Sequence, residues 1–557
     1  MKMTETFEMA VGLHGGLIVT WLFIVGPSLV VLISRLVPPR DAVSMKSAIV
    51  TVFSLSGTGY LALFILNRTA EQQPYLNYIA AVAAVAAAGV GYAAIRKRMK
   101  APYLRVLANS VMVGFFCATW WNWIFPDRAL SRDAESFMQI AEDKEPASNM
   151  LYAVMGFGQT DSTTGDAEYG VQVSQISRDF IRRGDWSGLE AYQTEIFDSD
   201  FPVFGNFKKR DQDFLNRLDT NRASFLCPKE QEKIRSLFQQ NQDAIERYLS
   251  LQRFSRWHTP FPLLPEMEDL RLSPLISGNK LLLFYAETLL HDGKVEEAVA
   301  LLKRQLGFSR RLLSMADTLM LKMIAVATWA ASVYQLSRFL DNPEFHSHIS
   351  GFHYLLRPFS PDELSMKKSF RQEFAALYHA MHVGVIEEMK ALKNPVLPAR
   401  QILFKPNHAT ELSFPFFKKL GSVSQMPLAE FDDNGNCVMS ELDFGVMDTA
   451  QNFIGVISLK VSLPALQKYY HRVVTAEIVR RLVILKIRYI TETVPPADIE
   501  SFLSKSPGNL RNPYTRHPFE YDEEHKTIFH KHGCTPSQNQ NNELHLNLLP
   551  VSIPSQP

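Results

Sequence analysis

The chain has 557 residues, 46% hydrophobic and 21% charged, with a formal net charge of +1 at pH 7. The charge is uneven: the first 126 residues carry ten Lys/Arg against four Asp/Glu, and the remainder is slightly acidic, which excludes the clustered basic footprint of a nucleic-acid binder. Four cysteines exclude a disulfide-dense scaffold.

Residues 10–33 contain no Asp, Glu, Lys or Arg, and a hydrocarbon core of roughly 30 Å needs about 20 such residues in a helix. The segment is longer than the apolar core of a signal peptide and no small-x-small cleavage site follows it, so it is expected to be retained as a span. Residues 48–66, 75–95 and 103–125 repeat the pattern, with Arg105 near enough to an end to reach the interface. Ala80, Ala84 and Ala88, beside Ala83, Ala87 and Gly91, allow close helix approach in lipid, so residues 1–126 are expected to form a four-helix transmembrane bundle. His14 and Pro27 in the first span have no mid-depth charged partner in the other spans, so a transport path is not supported.

Orientation follows the basic residues. Arg35, Arg40, Lys46, Arg96, Lys97, Arg98 and Lys100 fall in the two loops on one side; Lys2, Arg68, Arg128 and Arg132 fall on the other. The richer side is retained in the cytoplasm. Both termini are therefore expected outside, with Trp120, Trp121 and Trp123 as an interfacial belt at the end of the fourth span. The remainder is then extracytoplasmic, and in a Gram-negative cell periplasmic.

Residues 127–200 are polar and carry the Gly/Thr/Ser-rich stretch 156–170, so they read as an irregular connecting region. From 201 to 500 helical periodicity dominates. Leu282, Tyr285, Ala286 and Leu289 keep a 3.6-residue period, Asp292-Gly293 breaks it, and Val295, Ala298, Val299, Leu302 and Leu306 resume it, which predicts a helical hairpin of tetratricopeptide type. Further helices are expected at 316–340, 361–392 and 464–493, bounded by Pro343, Pro358, Pro361 and Pro395. No three copies recur at about 34 residues, so the expectation is a solenoid-like helical array. Residues 430–460 read as a turn followed by a short strand or a buried helix start. Residues 501–534 should end in a small β-hairpin, and 535–557 form a polar, Pro-rich disordered tail.

Segment 464–533, with LVILKIRYITETVPPADIESFL followed by NPYTRHPFEYDEEHKTIFHKHG, resembles the end of a group of uncharacterised bacterial helical envelope proteins that share a D/N-P-x-T-G-x-P-F-x-Y turn. By local pattern alone the ending is also similar to that of type II secretion pseudopilins. SNMLYAVMGF at 148–157, RYLSLQRF at 247–254, the 279–340 helices and KPNHATE at 405–411 extend the likeness over about 145–533. The resemblance implies a mainly helical envelope fold and no catalytic residues. The chain departs from the pattern at Arg516, where the turn has Gly, and at His530 and His532.

No G-x-x-x-x-G-K-S/T, G-x-S-x-G, H-E-x-x-H or C-x-x-C occurs, so nucleotide, hydrolase-elbow, zincin and thioredoxin chemistries lack their minimum residues. Asp432, Asn434, Asn436, Ser440 and Asp443 have calcium-loop spacing, but Cys437 stands where the loop needs Gly, so a plain turn is the better reading. His379 and His382, followed by Glu387, share a helix face without further ligands. His530, His532 and Cys534 alternate along a strand and would face one way, with His525 nearby, a donor set suited to zinc or copper. Cys227, Cys437 and Cys534 would face an oxidising space and can supply one disulfide of unread pairing.

The expected function is an integral inner-membrane protein that presents a helical binding or scaffold domain to an envelope protein partner. The alternatives are a membrane-anchored envelope enzyme with a pocket between helices, and a metal-binding or sensing membrane protein.

Overall fold

A computed structural model describes residues 127, 129–157, 166–183, 207–220, 225–260, 272–384, 404–426, 428, 444–530 and 544–547. The four expected spans, the 432–443 loop, Glu387, His532, Cys437 and Cys534 lie outside the described residues. Contacts divide the chain into a larger unit of Ser131–Val383, Thr410–Asp443 and Ser462–Pro557, and a smaller unit of Met1–Leu130, Gly384–Ala409 and Phe444–Val461.

The described protein is mainly helical. In chain order the helices are α1 (Arg132–Met138), α2 (Met150–Met155), α3 (Asp166–Arg183), α4 (Lys209–Thr220), α5 (Pro228–Gln240), α6 (Gln242–Leu251), α7 (Ser273–His291), α8 (Val295–Met315) and α9 (Leu319–Phe339). They continue as α10 (Pro361–Leu364), α11 (Lys367–His379), α12 (Pro406–Val423), α13 (Val446–Gln451), α14 (Phe453–Thr491) and α15 (Ile499–Ser504).

The heart of the larger unit is α7–α9, each packed on the other two. The predicted break between α7 and α8 is a Schellman turn: Gly293 takes φ +74°, its N–H donates to Leu290, and the Lys294 N–H donates to Leu289 over 2.9 Å. Only a residue without Cβ adopts that conformation without strain, which is why the helix stops there. Helix α8 opens on Glu296 and Glu297, favourable at the positive end of the helix dipole. Thr318 caps α9 by accepting from the Leu321 N–H.

Helix α9, with mean hydropathy 1.3, is the one described helix long and apolar enough to cross a membrane. Leu321, Ala325, Trp329, Val333, Leu336 and Phe339 are buried against the rest of the protein, so it serves as a core helix. The Trp329 indole N–H donates to the Ala476 carbonyl of α14 over 3.2 Å.

Several expectations are corrected. Residues 127–200, read as irregular, contain α1, α2 and α3; their polar composition concealed short helices whose caps are Ser131 and Asn149. Over 361–384 the expected single helix is α10, α11 and a π-helical turn at Ala380–Gly384: Ser360 and Glu363 form the capping box that starts α10, and the extended backbone of Ser365 ends it before Lys367 starts α11. Of the two readings of 430–460, the described part takes the helical one, as α13 and the start of α14 on either side of Asn452; α14 starts eleven residues before the expected 464, carrying Pro464 in its interior. Pro464 and Lys460, whose carbonyl loses its helical partner, are both exposed residues.

The terminal hairpin pairs β1 (Glu520–Asp522) with β2 (Thr527–His530), Tyr521 opposite Ile528. Leu544–Asn547, expected in the disordered tail, forms a third strand, β3, antiparallel to β2, with Leu544 opposite His530. Before the hairpin, Asn512 organises the turn: its side chain accepts from Tyr514, its carbonyl from Arg516, and its N–H donates to His517. Arg516 takes φ +57°, a left-handed conformation that Gly adopts without strain.

Candidate functional site

The residues singled out by sequence do not converge among the described residues. His530 ends β2, and the alternation that would align it with His532 and Cys534 stays an expectation of the sequence. His525 lies exposed in the hairpin turn, its ring bonded to Asp522 over 2.7 Å, which raises the imidazole above its usual range. His379 ends α11 and His382 lies within the π-helical turn that follows. His382 lies over the Tyr378 ring and bonds the Tyr378 carbonyl, while burial and the neighbouring His382 lower His379. Cys227 is exposed and carries a free thiol. No group of three or more metal-binding side chains occurs among the described residues.

What the structure does assemble is a strap. Residues 131–149 follow closely on the expected fourth span and are bonded along their length to the larger unit. At the start, Ser131 donates from its N–H and hydroxyl to Glu411. Arg371 on α11 then gathers three carbonyls, those of Ser136, Phe137 and Gln139, and Phe137 sits edge-on to Phe374 and Phe414. Three carbonyls on one guanidinium use the fork of donors that Lys lacks.

Further along, His258 bonds the Ala141 carbonyl over 2.7 Å through Nε2, while Nδ1 lies 3.6 Å from Asp317. The Asp317 contact, opposed by burial and helped by Ala141 and Asp143, raises the His258 imidazole. Asp317 in turn accepts from the Thr259 N–H over 2.6 Å and its hydroxyl over 2.9 Å. Arg256 holds Asp143 at 2.8 Å and Glu145 at 3.4 Å. Burial works against the Asp143 carboxylate, but the Asn149 amide, the Glu145 N–H and Arg256 together hold it below the usual range.

Asn149, fully buried, is the knot. Its amide donates to Asp143 and to the His258 carbonyl, each over 2.6 Å, and its oxygen accepts from His258 and from Leu151, the latter capping α2. The Met150 N–H donates to the Arg256 carbonyl. Segments 148–157 and 247–258, about a hundred residues apart in sequence, are thereby laid side by side.

Beneath the strap the interior is braced by ions. Arg310 forms a two-point pair with Glu363 (2.5 and 2.9 Å) and donates to the carbonyls of Leu355, Arg357 and Pro358. Arg480 and Arg481 share Glu477, and Arg480 also donates to the Leu356 carbonyl. Lys486 meets Asp341 at 2.6 Å. Glu287 accepts from Leu226, Gln335 and Arg338.

A cleft of about 290 Å³, counting its open mouth, lies between α4, α7 and α9. Asp219 and Lys280 on its wall are paired at 2.8 Å, and Lys280 also donates to Asn216. Among the described residues Asp219 is the one carboxylate lining it.

Sequence reasoning missed Arg371, His258, Arg256, Asp143 and Asn149 because polar residues in an apparent loop carry no periodic signal; the S-N-M-L start of 148–157 was the available hint of a helix cap. No protein-family model, curated protein or solved structure matches this chain.

Proposed function

We propose that this is a multi-pass inner-membrane protein whose four N-terminal spans form a bundle and whose periplasmic, solenoid-like helical domain binds or scaffolds another envelope protein. The resemblance to helical envelope proteins belongs to the same proposal. The observation that carries it is the strap. A tethered domain free to swivel needs only a loose linker, whereas the chain entering this domain is fixed at Glu411, Arg371, His258 and Arg256. Ordering the entering segment within the domain reduces the cost of ordering it when a surface is presented to a partner. The successive antiparallel helices α7, α8 and α9 favour an extended array surface.

Three measurements test this. The intact chain should stay with membranes through alkaline carbonate extraction, and alkaline phosphatase fused after residue 140 should be active. Release by carbonate removes the membrane reading; fluorescence of GFP fused at the same place inverts the topology. Site-specific photocrosslinking from exposed positions on α8 should then trap a protein of the envelope.

A further inference from the structure

We propose that the described part of the smaller unit, Phe444–Val461 with its support at 404–409, is a surface that rests on the bilayer at the headgroup boundary, held there by Asp127. The inference rests on the membrane-anchored reading above and assigns a lipid contact to residues far from the spans in sequence.

The surface is apolar where a water-facing surface would be polar. At the start of α14, Val456 and Leu459 are buried, as the inner face of a helix should be. Ile454, Ile457 and Val461 recur at the three- and four-residue spacing that places them together on another face, where Ile454 and Ile457 are half-exposed and Val461 is 57% exposed. On the preceding helix α13, Met447 is 56% exposed. Lys460 is the single charged side chain of Phe453–Val461, and it lies over the Phe444 ring. A helix with apolar residues on its outward face and a snorkelling lysine suits the plane of the interface.

The position of this surface is fixed by a short chain of bonds. Asp127 accepts from the N–H groups of Asn407 (3.1 Å) and His408 (2.9 Å), so it caps α12. Lys405, just before that helix, is clasped by Asn452 through its N–H (2.9 Å) and carbonyl (2.7 Å), and Asn452 separates α13 from α14. His408 lies 3.6 Å from Asp448, the neighbour of Met447.

Asp127 stands two residues after position 125, where the fourth span is expected to end, and two residues reach at most about 7 Å. On that expectation Asn407 and His408, bonded to Asp127, lie within about 10 Å of the span's end. At that distance the nearest large apolar phase is the bilayer that holds the spans. An unrelated protein would have to insert between the surface and the membrane to cover the same residues.

The test uses the full chain reconstituted in phosphatidylcholine/phosphatidylglycerol vesicles, with its four cysteines replaced by Ser. An environment-sensitive dye is placed at Met447→Cys, at Val461→Cys and, as an exposed reference, at Glu523→Cys in the hairpin turn. Lipids bearing a nitroxide near the headgroup should quench the first two dyes severalfold more than the third, and aqueous iodide should show the opposite order. In the unmodified chain a lipid-soluble diazirine should label peptides covering 444–461, which guards against disturbance by the dyes.

Equal iodide access at all three positions, in a chain that resists carbonate extraction, overturns the surface and leaves the anchored reading intact. Shielding from iodide without quenching by lipid overturns it in favour of a protein cover. Loss of the chain on carbonate extraction removes both.

Discussion

Lys322 offers the most direct measurement of how the interior is built. It is fully buried on α9, and its ammonium nitrogen donates to the carbonyls of Leu313 (2.6 Å) and Glu363 (2.8 Å). Burial, opposed by Glu363, brings its pKa down to about 7. A neutral amine has two N–H donors, and two carbonyls are what it meets.

The unfolded chain holds the proton up to about pH 10.4. Between pH 7 and 9 the unfolded state therefore binds more protons than the folded one, and stability rises with pH. With a folded pKa of about 7, the rise over those two units is about 2 kcal/mol. Lys322→Met removes this titration but strands two carbonyls, each costing about 1–3 kcal/mol. Urea titrations of the full chain in detergent, followed by tryptophan fluorescence, should show the wild type gaining on Lys322→Met by about 2 kcal/mol from pH 7 to 9. Parallel pH profiles for the two proteins would show that Lys322 keeps its proton in the fold and refute the pairing of a neutral amine with two carbonyls.

The strap yields further expectations. His258 is raised by Asp317, so its contribution is fully present below the ordinary histidine range and is lost as pH climbs through the folded value; proteolysis within 131–149 should accelerate from pH 6 to 8, and His258→Gln should flatten that dependence. Arg371→Lys cannot span three carbonyls, and should increase cleavage at 136–140 while leaving the global unfolding midpoint within about 1 kcal/mol of wild type, because the site is exposed. Gly278→Ala would place a Cβ 2.6 Å from the Tyr248 ring, and should destabilise the chain by about 1–3 kcal/mol through overpacking, read as a lowered urea midpoint.

The sequence exposed what periodicity and turn chemistry encode. The α7–α8 hairpin was legible because Asp292-Gly293 interrupts two runs of one period, and β1–β2 because Phe519 and Tyr521 alternate around Glu520 before a polar turn. The strap was not, since its bonds run from carbonyls and single polar side chains to residues a hundred or more positions away. Pro464 misled because it lies inside a helix, where both it and Lys460, whose carbonyl loses its helical partner, are exposed residues. Strand β3 hid in a polar tail because a short strand gains its identity from pairing with β2. At the candidate site, Arg371 and His258 read as ordinary surface residues, and the histidines that looked like ligands do not converge with others among the described residues.

Five of the buried cations share one habit. Arg310 ends on Leu355, Arg357 and Pro358, Arg480 on Leu356, Arg481 on Arg511, Lys322 on Leu313 and Lys486 on Ser337, in every case a backbone carbonyl in a last helical turn or an irregular segment. Carbonyls at helix ends have no partner within the helix, and a cation from a neighbouring helix satisfies them while choosing which neighbour that must be. Apolar replacements of equal volume give comparable stability, because the desolvation of buried charge offsets most of its Coulomb gain. They cannot select direction. Arg371 applies the same chemistry at the surface, where the carbonyls of Ser136, Phe137 and Gln139 belong to the strap. The rule that sets the order of the helices inside thus also sets the attachment of residues 131–149 to the rest of the larger unit, and orientation rather than stability is what such bonds supply.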